Sequence, residues 1–354
     1  MISRRKTRPV MVAGVQIGGD APVSIQSMCN TDTRDAEATA RQIHALEEAG
    51  CEIVRVAVPD RESAAAIAAI KKQIHIPLVA DIHFDYRLAL LALENGIDKL
   101  RLNPGNIGSA ERVHAVAVAA KERGVPIRIG VNAGSISRQM LQKYGGPTAE
   151  AMAESALEHT ALLENEKFED IVVSLKASNV PRTVEACRAL AARCDYPLHI
   201  GITEAGSGVD AMVKSAAGIG ALLLEGLGDT MRVSITGDPV QEVAAAKQIL
   251  RAAGLRDEGI EVISCPTCAR TGGDLVAVTE ELKRRLPASG QRLTIAVMGC
   301  AVNGPGEARE ADIGAAFGPS NCVLFARGEK IGSVAHGDAV DALLKLVEER
   351  IATT

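Results

Sequence analysis

Short apolar runs alternate with alanine- and glutamate-rich segments through residue 255 of the chain. In DAEATARQIHALEEAG (35–50), apolar residues recur at helical spacing and a glycine closes the run, which is typical of a helix C terminus. The alternation predicts repeated β–α units around a parallel sheet. The predicted strands are PVSIQSM (22–28), EIVRVAV (52–58), PLVADIHF (77–84), KLRLNPG (99–105), PIRIGVN (126–132), DIVVSLKAS (170–178), PLHIGITEAG (197–206) and GALLLEG (220–226).

Eight strands with their helices match a closed TIM-type (β/α)8 barrel in number and length. An open doubly wound sheet is the alternative, but no G-x-G-x-x-G turn follows the first strand. Beyond the short linker RDEG the rhythm changes to that of a smaller α/β unit. We therefore expect a barrel over residues 1–256 and a smaller α/β domain over residues 257–354. In that domain we predict strands GIEVI, LTIAVMG, VLFARG and EKIGSV, and helices DLVAVTEELKRRL and DAVDALLKLVEERI.

Several predicted strands carry charged residues, although strands of a parallel sheet are usually apolar on both faces. Alternate residues of a strand point to the same side, so Arg101 and Asn103 share a face. Three further pairs also share a face of their strand: Arg128 with Asn132, Ser174 with Lys176, and Asp81 with His83. Arg55, near the end of the second predicted strand, is a further cation. The carboxyl ends of barrel strands surround one opening, where such enzymes hold their active sites. A single strand arginine is more often ion-paired, but four cations converging there indicate a phosphorylated substrate with more than one phosphate.

Three carboxylate or imidazole groups near these strand ends have less specific interpretations. Asp81 and His83 form an acid–base pair, a pair of metal ligands, or a pair that positions its neighbours. Glu204, in GITEAG, is a proton donor or acceptor, or the ion-pair partner of one of the arginines.

Composition narrows the class of protein. The net charge of −5 and the pI near 5.9 argue against a nucleic-acid partner, which usually requires a basic surface. The N-terminal apolar run is too short and broken for a signal peptide, and no stretch reaches the length of a membrane span, so we expect a cytoplasmic protein. Cytosolic thiols stay reduced, and clustered cysteines there point to metal binding or catalysis.

Cys265 and Cys268 form a C-x-x-C motif, and Cys300 follows the next predicted strand. Three such cysteines are a strong metal signal, for structural zinc or for an iron–sulfur cluster, and both usually need a fourth ligand. His336 has no companion at a familiar zinc spacing, while Cys322 is a candidate fourth thiolate although its surroundings favour a buried thiol. We also predict that Gly304-Pro305-Gly306 bends the chain so that Glu307 returns toward Cys300.

The motifs ISCPTCAR and MGCAVNGPGEA resemble the bacterial 4-hydroxy-3-methylbut-2-enyl diphosphate synthase family, also called IspG or GcpE. The likeness extends over nearly the whole chain. It includes SIQSMCNTDTRD, ADIHFDYRLA, KLRLNPGNIG, RIGVNAGS, SLKAS, GITEAG and GDTMRVSIT. The resemblance implies a barrel followed by an iron–sulfur domain with a 4Fe-4S cluster. Its implied ligands are Cys265, Cys268, Cys300 and Glu307.

The reaction implied by the resemblance is a two-electron reduction of 2-C-methyl-D-erythritol 2,4-cyclodiphosphate in the non-mevalonate isoprenoid pathway. The ring opens and a hydroxyl leaves, giving (E)-4-hydroxy-3-methylbut-2-enyl diphosphate. The implied substrate-binding residues are Arg55, Arg101, Arg128 and Lys176, with Asn103, Asn132, Asp81, His83, Arg232 and Ser234 in support. Glu204 would be the acid–base residue, and flavodoxin or ferredoxin the electron donor.

We also expect a homodimer, because substrate must meet both the barrel opening and the cluster. The short linker leaves the barrel at the end opposite that opening, which favours a head-to-tail dimer. Two functions from other classes are alternatives. A zinc-stapled, phosphate-binding barrel lyase would leave the Gly-Pro-Gly-Glu segment without a role, and an iron–sulfur electron-transfer protein would leave the polar strand ends without one.

Overall fold

The computed structural model describes residues 2–287, 289–300 and 302–352. The chain divides into two units, Met1–Arg256 and Asp257–Thr354. No helix within those described ranges is long and apolar enough to cross a membrane.

The first unit contains a short hairpin followed by alternating strands and helices. Its strands are β1 (Val10–Val12), β2 (Val15–Ile17), β3 (Ser24–Met28), β4 (Ile53–Ala57), β5 (Leu78–Asp81), β6 (Lys99–Leu102), β7 (Ile127–Asn132), β8 (Ile171–Lys176), β9 (His199–Ile200) and β10 (Thr230–Met231). Its helices are α1 (Ala36–Ala49), α2 (Arg61–Lys71), α3 (Tyr86–Glu94), α4 (Ala110–Glu122), α5 (Arg138–Tyr144), α6 (Ala149–Glu164), α7 (Val180–Ala191), α8 (Gly208–Leu224) and α9 (Pro239–Ala252).

Strands β3 to β10 form one parallel sheet in the order β8-β7-β6-β5-β4-β3-β10-β9. The two ends of this order meet where Val173 bridges Leu198 in parallel, so the sheet closes. The predicted TIM-type barrel is therefore confirmed. Its core lies between the sheet and the helices, where Ile43 of α1 and Ile67 of α2 are fully buried.

The eighth strand lies elsewhere than predicted. Residues 220–226 were expected to form it, but they belong to the last turns of α8 and the residues that follow. Alanine and leucine favour a helix, and a short apolar run does not by itself distinguish a strand from a buried helix segment. The observed strand is the two-residue β10, which pairs in parallel with both β3 and β9.

The hairpin of β1 and β2 closes the amino-terminal end of the barrel. Its buried residues Val10, Val12 and Ile17 form one cluster with Ile53, Val79 and Val172, which lie at or near the first residues of β4, β5 and β8. This hairpin was not predicted from the sequence. It leaves the opposite, carboxyl end of the strands for the polar residues.

The second unit is a five-stranded mixed sheet with helices on both faces. Its strands are β11 (Ile260–Ser264), β12 (Leu293–Met298), β13 (Ile313–Phe317), β14 (Cys322–Ala326) and β15 (Glu329–Val334), and its helices are α10 (Leu275–Arg285), α11 (Gly304–Glu310) and α12 (Ala339–Ala352). The order is β11-β12-β13-β14-β15, with the first three parallel and the last two antiparallel to their neighbours. Buried residues of α10 and α12 pack on one face, and Ala308 of α11 packs on the other.

The four strands and two helices predicted in this unit are confirmed, while β13 and α11 were missed. The segment from Gly304 to Gly306 is the first turn of α11, with proline at its start, rather than the predicted sharp bend. Proline is favoured in the first turn of a helix because its missing N–H would have no partner there. Glu307 therefore follows Cys300 through a helical turn.

Candidate functional site

Five cations of the barrel strands lie near one another. They are Arg55 of β4, Arg101 of β6, Arg128 of β7, Lys176 of β8 and Arg232 after β10, and we call them the cation cluster. Lys176 and Arg232 lie at the carboxyl ends of their strands, and Arg128 lies deeper, as the second residue of β7. The register pairs Asp81 with Arg101, Arg101 with Arg128, and Asn132 with Lys176 on neighbouring strands. Parallel strands in this register bring most of the predicted polar residues to one region.

Asp81 is the anion that two of these cations share. Arg101 Nη1 lies 3.0 Å from Asp81 Oδ1, and Arg55 Nε lies 3.8 Å from Oδ2. His83 Nε2 lies 3.6 Å from the same Oδ2, although its side chain is 56% exposed. Burial alone raises the pKa of Asp81, but the facing His83 ring and the two guanidinium groups outweigh burial and hold that pKa well below its ordinary value. Asp81 is thus an ionised, positioning carboxylate.

Arg232 has its own carboxylate partner, Glu242 of α9. Its Nε and Nη2 lie 3.1 and 3.0 Å from the two oxygens of Glu242, which also accept from Ser27 Oγ and from the backbone N–H of Ile235. Arg55 instead donates to the sulfur of Met28, at 3.1 Å from Nε. Within the described ranges, Asp81 and Glu242 alone make ion pairs with the cation cluster.

Arg128 and Lys176 are the members without a carboxylate partner in the described residues. Arg128 is 1% exposed and donates from Nη1 to Ser174 Oγ at 2.8 Å, while its Nε and Nη2 have no hydrogen-bond partner among the described residues. Burial, followed by the nearby Arg55 charge, lowers the pKa of Arg128 well below its ordinary value. Burial and the charge on Arg128 act in the same direction on Lys176. Such an excess of buried positive charge is suited to an anionic ligand.

The remaining predicted polar residues differ in their roles. Asn103 Oδ1 accepts from the backbone N–H of Gly130 at 2.9 Å, which ties β6 to β7. The backbone N–H of Asn132 donates to Ser135 Oγ at 3.0 Å in the 3₁₀ turn at Ala133–Ser135, and Ser234 lies half-buried after β10. These residues support the region around the cations through backbone contacts.

Glu204 lies in the loop after β9 with its side chain exposed. Its φ of 55° is in the left-handed region, which is uncommon for a residue with a side chain and often marks a functional site. The backbone N–H of Thr236, in the segment after β10, donates to the carbonyl oxygen of Gly206 in this loop at 3.0 Å. Glu204 makes no ion pair with the cation cluster in the part of the chain that the structure describes. The alternative that Glu204 is the ion-pair partner of one of the arginines is therefore not supported.

In the second unit, three cysteines and a glutamate line one cavity of about 470 Å³. The lining includes Cys265, Cys268, Cys300 and Glu307, together with Arg270. The first two cysteines follow β11, Cys300 follows the neighbouring strand β12, and Glu307 lies in the first turn of α11. Parallel pairing of β11 with β12 therefore brings the C-x-x-C motif beside Cys300.

Hydrogen-bond donors surround these sulfur atoms. The backbone N–H of Gly299 donates to Cys265 Sγ at 3.2 Å. The backbone amides of residues 302–304 lower the pKa of the Cys300 thiol, with that of Asn303 contributing most. The backbone N–H of Arg270 likewise lowers the pKa of Cys268. Thiolates, the forms that bind metals, are favoured at both positions.

Cys322 and His336 are not among the residues that line this cavity. Cys322 is fully buried among apolar residues of β14, and burial raises its pKa to about 12. His336 Nε2 lies 3.1 Å from the carbonyl oxygen of Gly318. The alternative of Cys322 as a fourth thiolate is therefore not supported by its position.

Sequence reasoning missed three buried polar residues of the barrel. Glu242 lies in the first turn of α9, and its contact with Arg232 has no local sequence signal. Lys99 is fully buried, and its Nζ has no hydrogen-bond partner within the described ranges. Its parity with Arg101 could have revealed it. His199 of β9 is also fully buried, and neither ring nitrogen has a partner in the part of the chain that the structure describes. Burial lowers the pKa of Lys99 and of His199 well below their ordinary values.

A closed barrel with polar residues at its carboxyl end, followed by a smaller α/β unit, defines a β/α-barrel enzyme. Residues 7–247 match the family described as the GcpE TIM-barrel domain, and residues 261–349 match the GcpE protein C-terminal domain. The chain belongs to the GcpE family.

Two relatives align over nearly the whole chain. A Geobacter sulfurreducens protein named 4-hydroxy-3-methylbut-2-en-1-yl diphosphate synthase (flavodoxin) is 59% identical over 349 residues, which covers 99% of each chain. A protein of the same name from Caldanaerobacter subterraneus subsp. tengcongensis is 56% identical over 352 residues, again 99% of each chain. Relatives at this identity and coverage are enzymes, and so is this chain.

Solved structures share the fold at low identity. A type I 3-dehydroquinate dehydratase from Clostridium difficile has a TM-score of 0.52 at 14% identity, covering 70% of this chain and 98% of that chain. A dihydropteroate synthase from Stenotrophomonas maltophilia has a TM-score of 0.51 at 12% identity, with coverages of 70% and 97%. These likenesses show the fold alone.

Proposed function

We propose that this chain catalyses the reductive ring opening and dehydroxylation of 2-C-methyl-D-erythritol 2,4-cyclodiphosphate. The product is (E)-4-hydroxy-3-methylbut-2-enyl diphosphate, and flavodoxin or ferredoxin supplies two electrons. The observation that carries the proposal is the excess of buried positive charge inside the barrel, where Arg128 and Lys176 have no carboxylate partner in the described residues. The names of the relatives support it.

The cation cluster would bind the diphosphate. Arg128 presents donors that no other described residue accepts from, and guanidinium groups bind phosphate oxygens through paired hydrogen bonds. Lys176 adds a compact charge. Asp81 and Glu242 hold Arg101 and Arg232 in place, so these two cations are oriented before the ligand arrives. Binding the diphosphate would relieve the repulsion among the buried cations.

The donor set of the second unit fits a 4Fe-4S cluster held by Cys265, Cys268, Cys300 and Glu307, which would supply electrons one at a time. The donors converge from the ends of the parallel neighbours β11 and β12 and from the first turn of α11, and C-x-x-C is a common source of two thiolate ligands to such a cluster. The amide donors to Cys265 and Cys300 match the hydrogen bonds that tune such sulfurs.

Anaerobic purification followed by a turnover assay tests the proposal. We expect visible absorption, iron and acid-labile sulfide, and conversion of the cyclodiphosphate with two electrons per product when reduced flavodoxin is present. Zinc without visible absorption would favour the phosphate-binding lyase instead. Electron transfer without conversion of the cyclodiphosphate would favour the electron-transfer protein.

Replacing Glu204 by Gln should slow chemistry more than binding. The amide keeps hydrogen-bonding capacity but transfers no proton, and loss of a general acid–base residue typically lowers turnover by about 10²- to 10⁴-fold. Steady-state kinetics and calorimetric titration with the cyclodiphosphate measure the two effects separately. Glu204→Gly is the second variant, because it removes the whole side chain and glycine adopts the left-handed backbone without strain. A defect confined to affinity in both variants would contradict the acid–base role.

We further propose that the active form is a head-to-tail homodimer in which the second unit of one chain covers the barrel of its partner. Helix α9 follows a strand at the carboxyl end and returns to the amino-terminal end, so the chain leaves the barrel far from the cation cluster. Apolar side chains at the start of α8 support a covered surface, because Val209 and Val213, one helical turn apart, are 74% and 61% exposed.

Mixing two inactive variants tests this arrangement. Glu204→Gln impairs the barrel and Cys300→Ser impairs the cluster, so a mixed dimer has one site with both parts intact. Random exchange of a two-fold dimer should restore up to about a quarter of wild-type activity. Mass spectrometry must confirm that subunits exchange. Exchange without recovered activity would show that each site is built within one chain.

A further inference from the structure

Two histidines and a glutamate meet on the outside of the barrel, away from the residues discussed so far. His44 and Glu47 lie on α1, and His75 lies in the segment between α2 and β5. Their spacing of three residues places His44 and Glu47 on one face of the helix. One ligand atom from each of the three residues lies within 4.8 Å of the other two.

Backbone hydrogen bonds hold the Glu47 carboxylate in place. Its Oε1 accepts from the backbone N–H of His75 at 2.7 Å and of Ile76 at 3.1 Å. Its Oε2 lies 3.1 Å from His75 Nδ1. Burial raises the pKa of Glu47, but the hydrogen bonds from His75 and Ile76 outweigh it and lower that pKa, which keeps the carboxylate ionised at neutral pH. The carboxylate is thus anchored through one oxygen and presents the other to the imidazole.

His44 is oriented in the manner of a metal ligand. Its Nε2 lies 2.6 Å from the carbonyl oxygen of Gln73, so in the neutral ring this nitrogen carries the proton and Nδ1 has the lone pair. Metal-binding histidines usually donate their other ring N–H to such a carbonyl or to a carboxylate. The rings of His44 and His75 stack with centroids 6.1 Å apart, which brings the second imidazole to the same place.

We propose that His44, Glu47 and His75 bind a divalent transition-metal ion of the zinc type, with water in the fourth position. Imidazole and carboxylate suit these ions, and in a tetrahedral zinc site the ligand atoms stand about 3.3 Å apart. The contact between Glu47 and His75 already has nearly this length. Binding requires His75 Nδ1 to give up the hydrogen that it shares with Glu47, so the ring carries its proton on Nε2 instead.

The position of the site indicates a stabilising role. The second half of α1 and the segment before β5 lie at the amino-terminal end of the parallel strands, opposite the cation cluster. In barrel enzymes this end contributes to stability rather than to chemistry. A metal ion there joins α1 to the segment that begins β5, and it stabilises the folded state because it does not bind the unfolded chain in the same way.

Calorimetric titration of the full chain with Zn²⁺ tests the site. Wild type, His44→Ala and His75→Ala are compared. His114→Ala is the matched control, because His114 lies 2.5 Å from Glu166 but belongs to no group of three potential ligands among the described residues. The same cysteines are present in every variant, so any zinc that they bind is common to all. We expect one equivalent to bind at least about 10- to 100-fold more weakly in the first two variants and unchanged in the control.

A second pair of measurements separates ligation from folding. Glu47→Gln keeps an oxygen that accepts from the backbone of His75 and Ile76, so its Tm without zinc should stay near that of wild type while zinc binding weakens. Zinc should raise the Tm of wild type more than that of each site variant. Equal numbers and affinities of zinc equivalents in wild type, His44→Ala and His75→Ala would overturn the proposal. Turnover of the cyclodiphosphate by His44→Ala should equal that of wild type, so this result does not depend on the proposed function.

Discussion

Replacing Cys300 by Ser should remove most of the iron and acid-labile sulfide from the protein, whereas Glu307→Ala should retain a cluster held by three cysteines but lose turnover at least about 100-fold. The physical reason is the difference between the ligands. A thiolate holds iron tightly, while a carboxylate is a hard and exchangeable ligand. Iron and sulfide analysis, visible absorption and turnover of the same anaerobic preparations measure both expectations.

Two matched variants control for general effects on the second unit. Glu310 is an exposed carboxylate on the same helix that does not line the cavity, so Glu310→Ala should leave turnover unchanged. Cys322→Ser removes a buried thiol away from the cavity and should leave the iron content unchanged apart from any loss of folded protein. Full turnover of Glu307→Ala, or iron retained in Cys300→Ser, would contradict the proposed ligand set.

Arg128→Met and Lys176→Met should each weaken substrate binding by about 2 to 5 kcal/mol, the cost of removing a charged partner from a buried contact. The same substitutions should leave the Tm of the free protein unchanged or raise it. Both cations are buried without a carboxylate partner in the described residues, and methionine fills similar space without a charge. Calorimetry with the cyclodiphosphate and thermal unfolding without it measure the two effects.

Arg232→Met provides the contrast, because this arginine pairs with the buried Glu242. Removing the cation leaves an uncompensated carboxylate, which typically costs about 3 to 5 kcal/mol of stability. We therefore expect a clear fall in Tm for Arg232→Met alone. Unchanged affinity in both Arg128→Met and Lys176→Met, together with a lower Tm, would mean that these two residues are structural.

Local spacing explains why much of the candidate site was predictable. In a strand, alternate residues share a face, so Arg101 and Asn103 were assigned to one side, and both are buried at the carboxyl end. The C-x-x-C motif and Cys300 each follow an apolar run, which places them beyond the ends of parallel neighbours. These inferences need only the two-residue periodicity of side chains along a strand and the direction of the strands.

Contacts between distant segments were beyond this reasoning. Glu242 reaches Arg232 because α9 packs against β3, and Glu47 meets His75 because α1 lies beside the segment before β5. Neither pair has a fixed spacing that a sequence pattern could reveal. The wrong prediction of the eighth strand has a related cause. Strand β10 has only two residues, so it is recognised by its pairing with β3 and β9 and not by a local sequence pattern.

The sequence by itself determined the barrel, the α/β character of the second unit, the parity of the strand-end cations and the separation of three cysteines from the other thiols. These features follow from local periodicity and residue chemistry. Tertiary structure alone decided that Asp81 pairs with both Arg55 and Arg101. It also decided that Arg128 and Lys176 lack a carboxylate partner in the described residues, and that Glu307 of α11 lines the cysteine cavity. Burial and pairing depend on which segments meet in space, and packing of the whole chain fixes those meetings.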